Sequence, residues 1–196
     1  MKELIEIIRT KASVVPEKGI VKSTALNQKF DPRLYTKCAR EAKKYFDFKK
    51  ITLILTSEAS GIPFAAFVSR EYNKPFIFAR KQKAANALGG IYKAKIHSYT
   101  FDRDVSLIIS KKLISSKDKI LIVDDVIANG SAVLGLIKLA KLAKAKVVGI
   151  ISLMEKKFQK GGKILRKQGY KVVSLAPITQ MDKDGTLHFE GDKKGK

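Results

Sequence analysis

Residues 120–132 constrain this chain more than any other stretch. Ile120-Leu121-Ile122-Val123 is an apolar, largely β-branched run that leads straight into Asp124-Asp125. An unbroken run of this kind suits a strand buried on both faces, as in a parallel sheet. A short turn follows, and then a helical pattern with Val133, Leu136, Ile137 and Ala140 on one face. Ser131 or Asn129 is the expected cap of that helix, and Gly130 lets backbone approach a ligand closely. A helix N-terminus offers free N–H groups and the positive end of the macrodipole, so the turn suits an anion. The stretch reads as strand, acidic pair, phosphate loop, helix.

The rest of the chain repeats the alternation. Lys2 to Ala12 sets Leu4, Ile5, Ile8 and Ala12 on one helical face. Asp31-Pro32 opens a helix, with Asp31 as N-cap and Pro32 in the first turn, running to about Phe46. Ile51 to Thr56 is a second buried strand, ending at Ser57-Glu58-Ala59-Ser60-Gly61, and a helix from Ile62 to about Tyr72 follows. Pro75 to Ala79 is a third strand and stops at Arg80-Lys81. Gln82 to Gly90 lacks periodicity. Ile91 to Tyr99 and Val105 to Ile109 alternate like a two-stranded antiparallel excursion. Lys146 to Met154 is a strand ending at Glu155-Lys156, Phe158 to Gln168 a helix ended by Gly169, and Val172 to Leu175 a last strand. The tail from Gly191 to Lys196 is small and basic, and is expected to be disordered.

Strands alternating with helices predict an α/β fold, a mostly parallel sheet flanked by helices. Ligands in such folds sit outside the carboxyl ends of the strands. Four polar clusters fall there: Glu58 to Gly61, Arg80-Lys81, Asp124-Asp125 and Glu155-Lys156.

At 196 residues the chain fits one domain with a sizeable core. Its single cysteine, Cys38, excludes a disulfide framework and a cysteine-rich metal site, and fits a reducing cytoplasm. No apolar stretch is long enough to span a bilayer. Residues 1–9 mix acids with apolar residues at helical spacing, unlike a signal peptide. The net charge of +22 permits nucleic-acid binding, attraction of polyanionic substrates, or a lysine-rich bias. The lysines are spread over nearly every segment, with no zinc-finger spacing and no RNP signature, so specific nucleic-acid binding is not expected. Non-specific binding at low salt is.

The acidic pair and small-residue loop resemble the 5-phosphoribosyl 1-diphosphate (PRPP) motif of type I phosphoribosyltransferases. Ala128-Asn129-Gly130-Ser131-Ala132 is closest to the loop of the xanthine branch, where other branches carry threonines. Glu58-Ala59-Ser60-Gly61-Ile62, Phe78-Ala79-Arg80-Lys81, Tyr99-Thr100 and Glu155-Lys156-Lys157-Phe158-Gln159 extend the resemblance over about residues 20–189. The resemblance implies that fold, with a small N-terminal hood (residues 1–35 with 175–190), a core over 36–174, and a mobile antiparallel loop over Lys83 to Tyr99.

It also implies roles. Asp124 and Asp125 face the ribose hydroxyls and are the catalytic pair. Ala128, Asn129, Gly130, Ser131 and Ala132 cradle the 5′-phosphate. Ser60 and Gly61 bind diphosphate, and Arg80 and Lys81 supply positive charge, the basic pair often reaching a neighbouring subunit's site. Magnesium bridges diphosphate and hydroxyls, with Asp124 and Asp125 its candidate protein ligands. Ile20, Asn27 and Lys156 fall at base-binding positions, and an ammonium at Lys156 favours an oxopurine over adenine. The implied activity is purine salvage, xanthine and PRPP giving xanthosine 5′-monophosphate and diphosphate, in a cytoplasmic homodimer. Two alternatives stay open at this level: a hypoxanthine-guanine enzyme, and a PRPP-sensing regulator that binds DNA. Against the second, no helix-turn-helix segment precedes Ile20. His97 and His188 sit in no catalytic arrangement, and surface roles are expected for both.

Overall fold

The structure, a computed structural model, describes residues 1–82, 90–98 and 103–192, with no side-chain placement for Ala25, Asn27, Gln82, Ser98 and Arg103. Of the expected mobile loop at Lys83 to Tyr99, residues 83–89 and 99 lie outside the described residues, as do Tyr99-Thr100 and the last four residues of the tail, while Ile91–Ser98 forms a strand.

Three parts make up the order of elements. The N-terminal part holds α1 (Lys2–Lys11), β1 (Ala12–Val15), β2 (Ile20–Ser23) and α2 (Thr24–Asn27). Then come α3 (Pro32–Ala42), β3 (Leu53–Ser57), α4 (Gly61–Tyr72), β4 (Phe76–Gln82), and the hairpin of β5 (Ile91–Ser98) and β6 (Arg103–Ser110). The last part is β7 (Lys119–Ile127), α5 (Ser131–Leu142), β8 (Lys146–Lys156), α6 (Gly161–Lys167), β9 (Val172–Met181) and β10 (Leu187–Phe189).

One eight-stranded sheet carries the fold, in the order β10-β9-β8-β7-β3-β4-β6-β5. The five central strands run parallel, and antiparallel strands close both edges. β1 and β2 form a separate antiparallel pair.

Strand β7 shows why the sheet is central. Leu121 and Val123 enter one apolar layer with Leu4, Ile8, Tyr35, Phe64 and Val68, under α1, α3 and α4. Ile120 and Ile122 enter the other with Leu136, Ile137 and Leu165, under α5 and α6. Period-2 alternation puts successive side chains into opposite layers, so a strand covered on both faces has to be apolar throughout. Each such side chain, fully buried, contributes about 1.5–3 kcal/mol relative to exposure.

Several boundaries differ from the sequence reading. β7 does not end before the acidic pair: its ladder with β8 continues through Asp124↔Ser152 and Ile127↔Glu155. β8 likewise runs through Glu155-Lys156, and β9 extends to Met181. Polarity marks where a side chain meets a site, but backbone N–H and C=O groups set where a ladder stops. α3 ends four residues short of Phe46, and α6 begins only at Gly161. The short strands β1 and β10 carry too few residues to show a period. Asp31 does cap α3, accepting from the Arg33 N–H at 2.8 Å. The cap of α5 is neither Ser131 nor Asn129 but Gly130, in the left-handed region at φ 81°, with no side-chain hydrogen bond.

Candidate active site

Strand order reverses at β3 and β7. The chain moves outward from β3 to β4, then returns to place β7 on the other side of β3. The carboxyl ends of these neighbours splay apart at such a point, leaving a crevice. Asp124-Asp125 stands there on β7, opposite the β3–α4 turn of Ser57 to Gly61.

Asp124 is buried, only 4% exposed, and Asp125 beside it is half-buried. Burial, and then the neighbouring Asp125 charge, push the Asp124 carboxyl well above the ordinary carboxylate range. Burial also raises Asp125, though a hydrogen bond from Ser60 opposes it. Carboxyls raised in this way favour their protonated forms more than free carboxyls do. The Lys81 charge acts in the opposite direction and lowers Asp124.

The backbone crowds this pair closely. A β-carbon on Gly61 would stand 3.0 Å from Asp124 Oδ1 and closer still to Thr56 Oγ1. Thr56 Oγ1 itself is buried without a hydrogen-bond partner among the described residues. The Lys81 N–H donates to Glu58 Oε1, which ties the end of β4 to the β3–α4 turn.

Beside the pair opens a cavity of about 150 Å³, lined by Lys81, Asp124, His97 and Ala128 to Ala132. It brings Asp124, Lys81 and the predicted phosphate-loop residues together, while Asp125, Ser60 and Gly61 are not among its lining residues. Arg80 is not among its lining residues; its guanidinium lies 6.0 Å from the Phe78 ring. Lys81 lines the cavity of its own chain.

His97, expected at the surface, lines the cavity, as do Ile96, Val126 and Val133, none of which the sequence marked as site residues. The His97 Nδ1 lies 3.1 Å from Asp104 Oδ1, its partner across the β5–β6 hairpin. The hairpin folds onto α5 because residue 135 is glycine: a β-carbon there would meet Ile96 Cγ2 and Leu107 Cδ1. No local pattern around His97 announces that packing.

The base-binding candidates lie at the end of β8. Lys156 is 8% exposed, and its ammonium donates to the Gly19 carbonyl at 3.0 Å. Gln159 Nε2 donates to the same carbonyl at 3.2 Å. Burial, and then the Lys22 charge, lower the Lys156 pKa. Ile20 follows Gly19 as the first residue of β2, while Asn27 ends α2 and its side chain lies outside the described residues. Ile20 and Lys156 do not line the cavity of the acidic pair. Glu155, the residue before Lys156, is 1% exposed and bound in two places by Arg166, at 2.6 and 2.7 Å.

A doubly wound sheet with an acidic pair, a lysine and an anion loop at its switch point defines an enzyme class that handles phosphorylated sugars or nucleotides. Comparison narrows the class: the chain belongs to the phosphoribosyl transferase family, whose model, the phosphoribosyl transferase domain, matches residues 28–184. A xanthine phosphoribosyltransferase of Lachnoclostridium phytofermentans is 40% identical over 185 residues, spanning 93% of this chain and 95% of its own length. One from Geobacillus thermodenitrificans is 38% identical, spanning 96% and 97%. The crystal structure of adenine phosphoribosyltransferase from Thermoanaerobacter pseudethanolicus shares the fold, with TM-score 0.72 and 27% identity over 90% of this chain and 99% of that one. Among the described residues, no helix is long and apolar enough to cross a membrane.

Proposed function

We propose that the protein transfers the 5-phosphoribosyl group of PRPP to xanthine, giving xanthosine 5′-monophosphate and diphosphate. The observation that carries this reading is buried Asp124 sharing one crevice with Lys81 and the Ala128–Ala132 loop, with the half-buried Asp125 beside it. The N–H groups of the loop bind the 5′-phosphate. Asp124 and Asp125 accept from the ribose 2′- and 3′-hydroxyls, and hydrogen bonds accepted by a carboxylate favour its ionised form. Once ionised, they stabilise positive charge developing at the anomeric carbon, in a site dry enough for that attraction to be strong. Lys81 draws the diphosphate, and Ser60 and Gly61 offer donors to it at the β3–α4 turn.

Magnesium fits this donor set. Among the described residues no cluster of three acidic, histidine or cysteine side chains could cage a metal ion. Magnesium is commonly held by one or two carboxylates together with substrate phosphates, and Asp124 and Asp125 would supply the protein's share. Bound there, it neutralises charge on the diphosphate leaving group.

The choice of base rests on Lys156, with Ile20 and Asn27 completing the site. The ammonium of a buried lysine supplies donors only, which suits an exocyclic oxygen and opposes adenine's amino group. The names of the relatives support xanthine among oxopurines. We further read residues 1–196 as a single domain whose hood, residues 1–35 with 175–190, covers the base, and the enzyme as a cytoplasmic homodimer.

Steady-state assays with PRPP and, in turn, xanthine, guanine, hypoxanthine, adenine and orotate test the reading. Turnover is expected on xanthine first. Turnover confined to adenine or orotate would overturn it, and PRPP binding without turnover on any base would favour a regulator.

A further inference from the structure

We propose that Glu155 and Arg166 are positioning residues for the phosphate loop, acting through the glycine pair that opens α6. The inference rests on the reading above, in which Ala128 to Ala132 bind the 5′-phosphate of PRPP.

Glu155 stands beside Ile127, the last residue of β7 before the loop. Both its carboxylate oxygens are taken by Arg166, from Nη1 at 2.6 Å and Nη2 at 2.7 Å. That bidentate pair clamps α6 against the strand end, because two parallel hydrogen bonds fix orientation as well as distance. Gly162 lies flat against the clamp: a β-carbon there would collide with Glu155 Oε1 and Arg166 Nη1. Gly161, one residue earlier, lies flat against the loop. Its N–H donates to the Ala128 carbonyl at 3.0 Å, and a β-carbon on it would overlap Ala128 O and Gly130 N. From the other side, a β-carbon on Gly130 would stand 3.0 Å from Gly161 Cα.

The contacts form an unbroken line: Arg166, Glu155, Gly162, Gly161, then the backbone of Ala128 and Gly130. Backbone meets backbone at each of the last steps, so no flexible side chain absorbs a displacement of α6. The Gly161 N–H also engages the Ala128 carbonyl, whose negative end would otherwise be free to turn toward a bound anion. Holding α6 in place alone does not explain an ion pair, since well-packed apolar residues do that at least as well. A bidentate clamp sets the helix at one height and one rotation, which a loop that must aim several N–H groups requires.

Lys156 follows Glu155 directly but engages Gly19 in the hood. Disturbing the clamp should therefore reach PRPP before it reaches the base.

The test uses the full chain and PRPP itself. Calorimetric titration measures PRPP binding to the unaltered protein, Arg166→Met and Arg166→Lys. Kinetics then give KM for PRPP and for xanthine, with thermal melts as a control. Arg166→Met is expected to weaken PRPP about tenfold or more, as misplaced binding groups do, with KM for xanthine within about twofold and Arg166→Lys in between. If the unaltered protein binds no PRPP, the functional reading itself fails. If it binds PRPP and Arg166→Met binds it equally, the positioning role is overturned. Equal rises in both KM values also overturn it, since they indicate general loosening. Should Arg166→Met not melt cooperatively, Arg166→Lys is judged by the same criteria.

Discussion

The Lys156 ammonium and the Gly19 carbonyl oxygen are 3.0 Å apart although 137 residues separate them in the chain. Gly19 sits in the left-handed region at φ 62°, at the end of a single helical turn over Pro16–Lys18. The N-terminal segment thus presents a backbone oxygen to a buried lysine, the chemistry that the proposed substrate offers through an exocyclic oxygen. Removing the cation should separate base binding from PRPP binding. Lys156→Met is expected to raise KM for xanthine about tenfold or more, the worth of a hydrogen bond to a charged group at about 1.5–3 kcal/mol. KM for PRPP should stay within about twofold. Equal effects on both substrates would remove Lys156 from base recognition.

The same lysine predicts an alkaline limit. Burial first, and the Lys22 charge second, hold its pKa below the ordinary 10.5. kcat/KM for the base reports groups of the free enzyme, so it should fall as pH rises through that lowered value. The cation is present below the pKa and lost above it. Lys156→Arg keeps its charge throughout, and its profile should lack this limb once base ionisation is allowed for. Superimposable profiles for the two proteins would contradict the assignment.

The acidic pair predicts a conflict between stability and catalysis. Burial raises the Asp124 pKa above its unfolded value, so the folded state binds more protons between the two values. Stability is then greatest below the unfolded pKa and falls as pH rises through the folded one. Asp124→Asn removes that cost. It should melt higher than the unaltered protein at neutral pH, by about 2–4 °C for each kcal/mol recovered, and the gain should shrink toward pH 4. Turnover should be largely lost. Melting curves across pH, alongside a neutral-pH assay, check both halves.

Gly61→Ala tests the crowding around the pair. Its methyl would overlap Thr56 Oγ1 and stand 3.0 Å from Asp124 Oδ1, so the α4 N-terminus or the carboxylate has to give. Overpacking of this kind costs about 1–3 kcal/mol. Because it displaces a reacting group, kcat/KM should fall about 100-fold, far more than the loss in melting temperature implies. Full activity in a folded Gly61→Ala protein would show that the pair tolerates displacement.

Cys38 predicts a chemical probe of folding. It is fully buried on α3, and burial pushes its thiol up to about 12. The thiolate is the reactive form, so the native protein should resist iodoacetamide at neutral pH and react only as it opens. Alkylation followed by mass spectrometry against denaturant concentration should track the unfolding curve. Rapid labelling of the native protein would place the thiol nearer the surface than its packing allows.

The α/β class, the central strand and most of the crevice were legible in the residue order. β7 is a run of branched apolar residues, and such a run is stable only between two covered faces. Its switch to Asp124-Asp125 marks where the sheet meets a site, and Gly130 marks backbone that must turn left-handed beside it. These are local properties of side-chain solubility and backbone sterics, and they survive without knowledge of neighbours. Strand ends were less legible, since ladders continue through Asp124 and Glu155 wherever a partner strand supplies hydrogen bonds. Contacts between distant segments were not legible at all. His97 reaches the phosphate loop because a hairpin packs where Gly135 leaves room, and Arg166 reaches Glu155 because α6 crosses the end of β8. Lys156 meets a carbonyl contributed by the hood. Those relationships depend on which surfaces come together, a choice made by the packing of the whole chain and written in no single stretch of it.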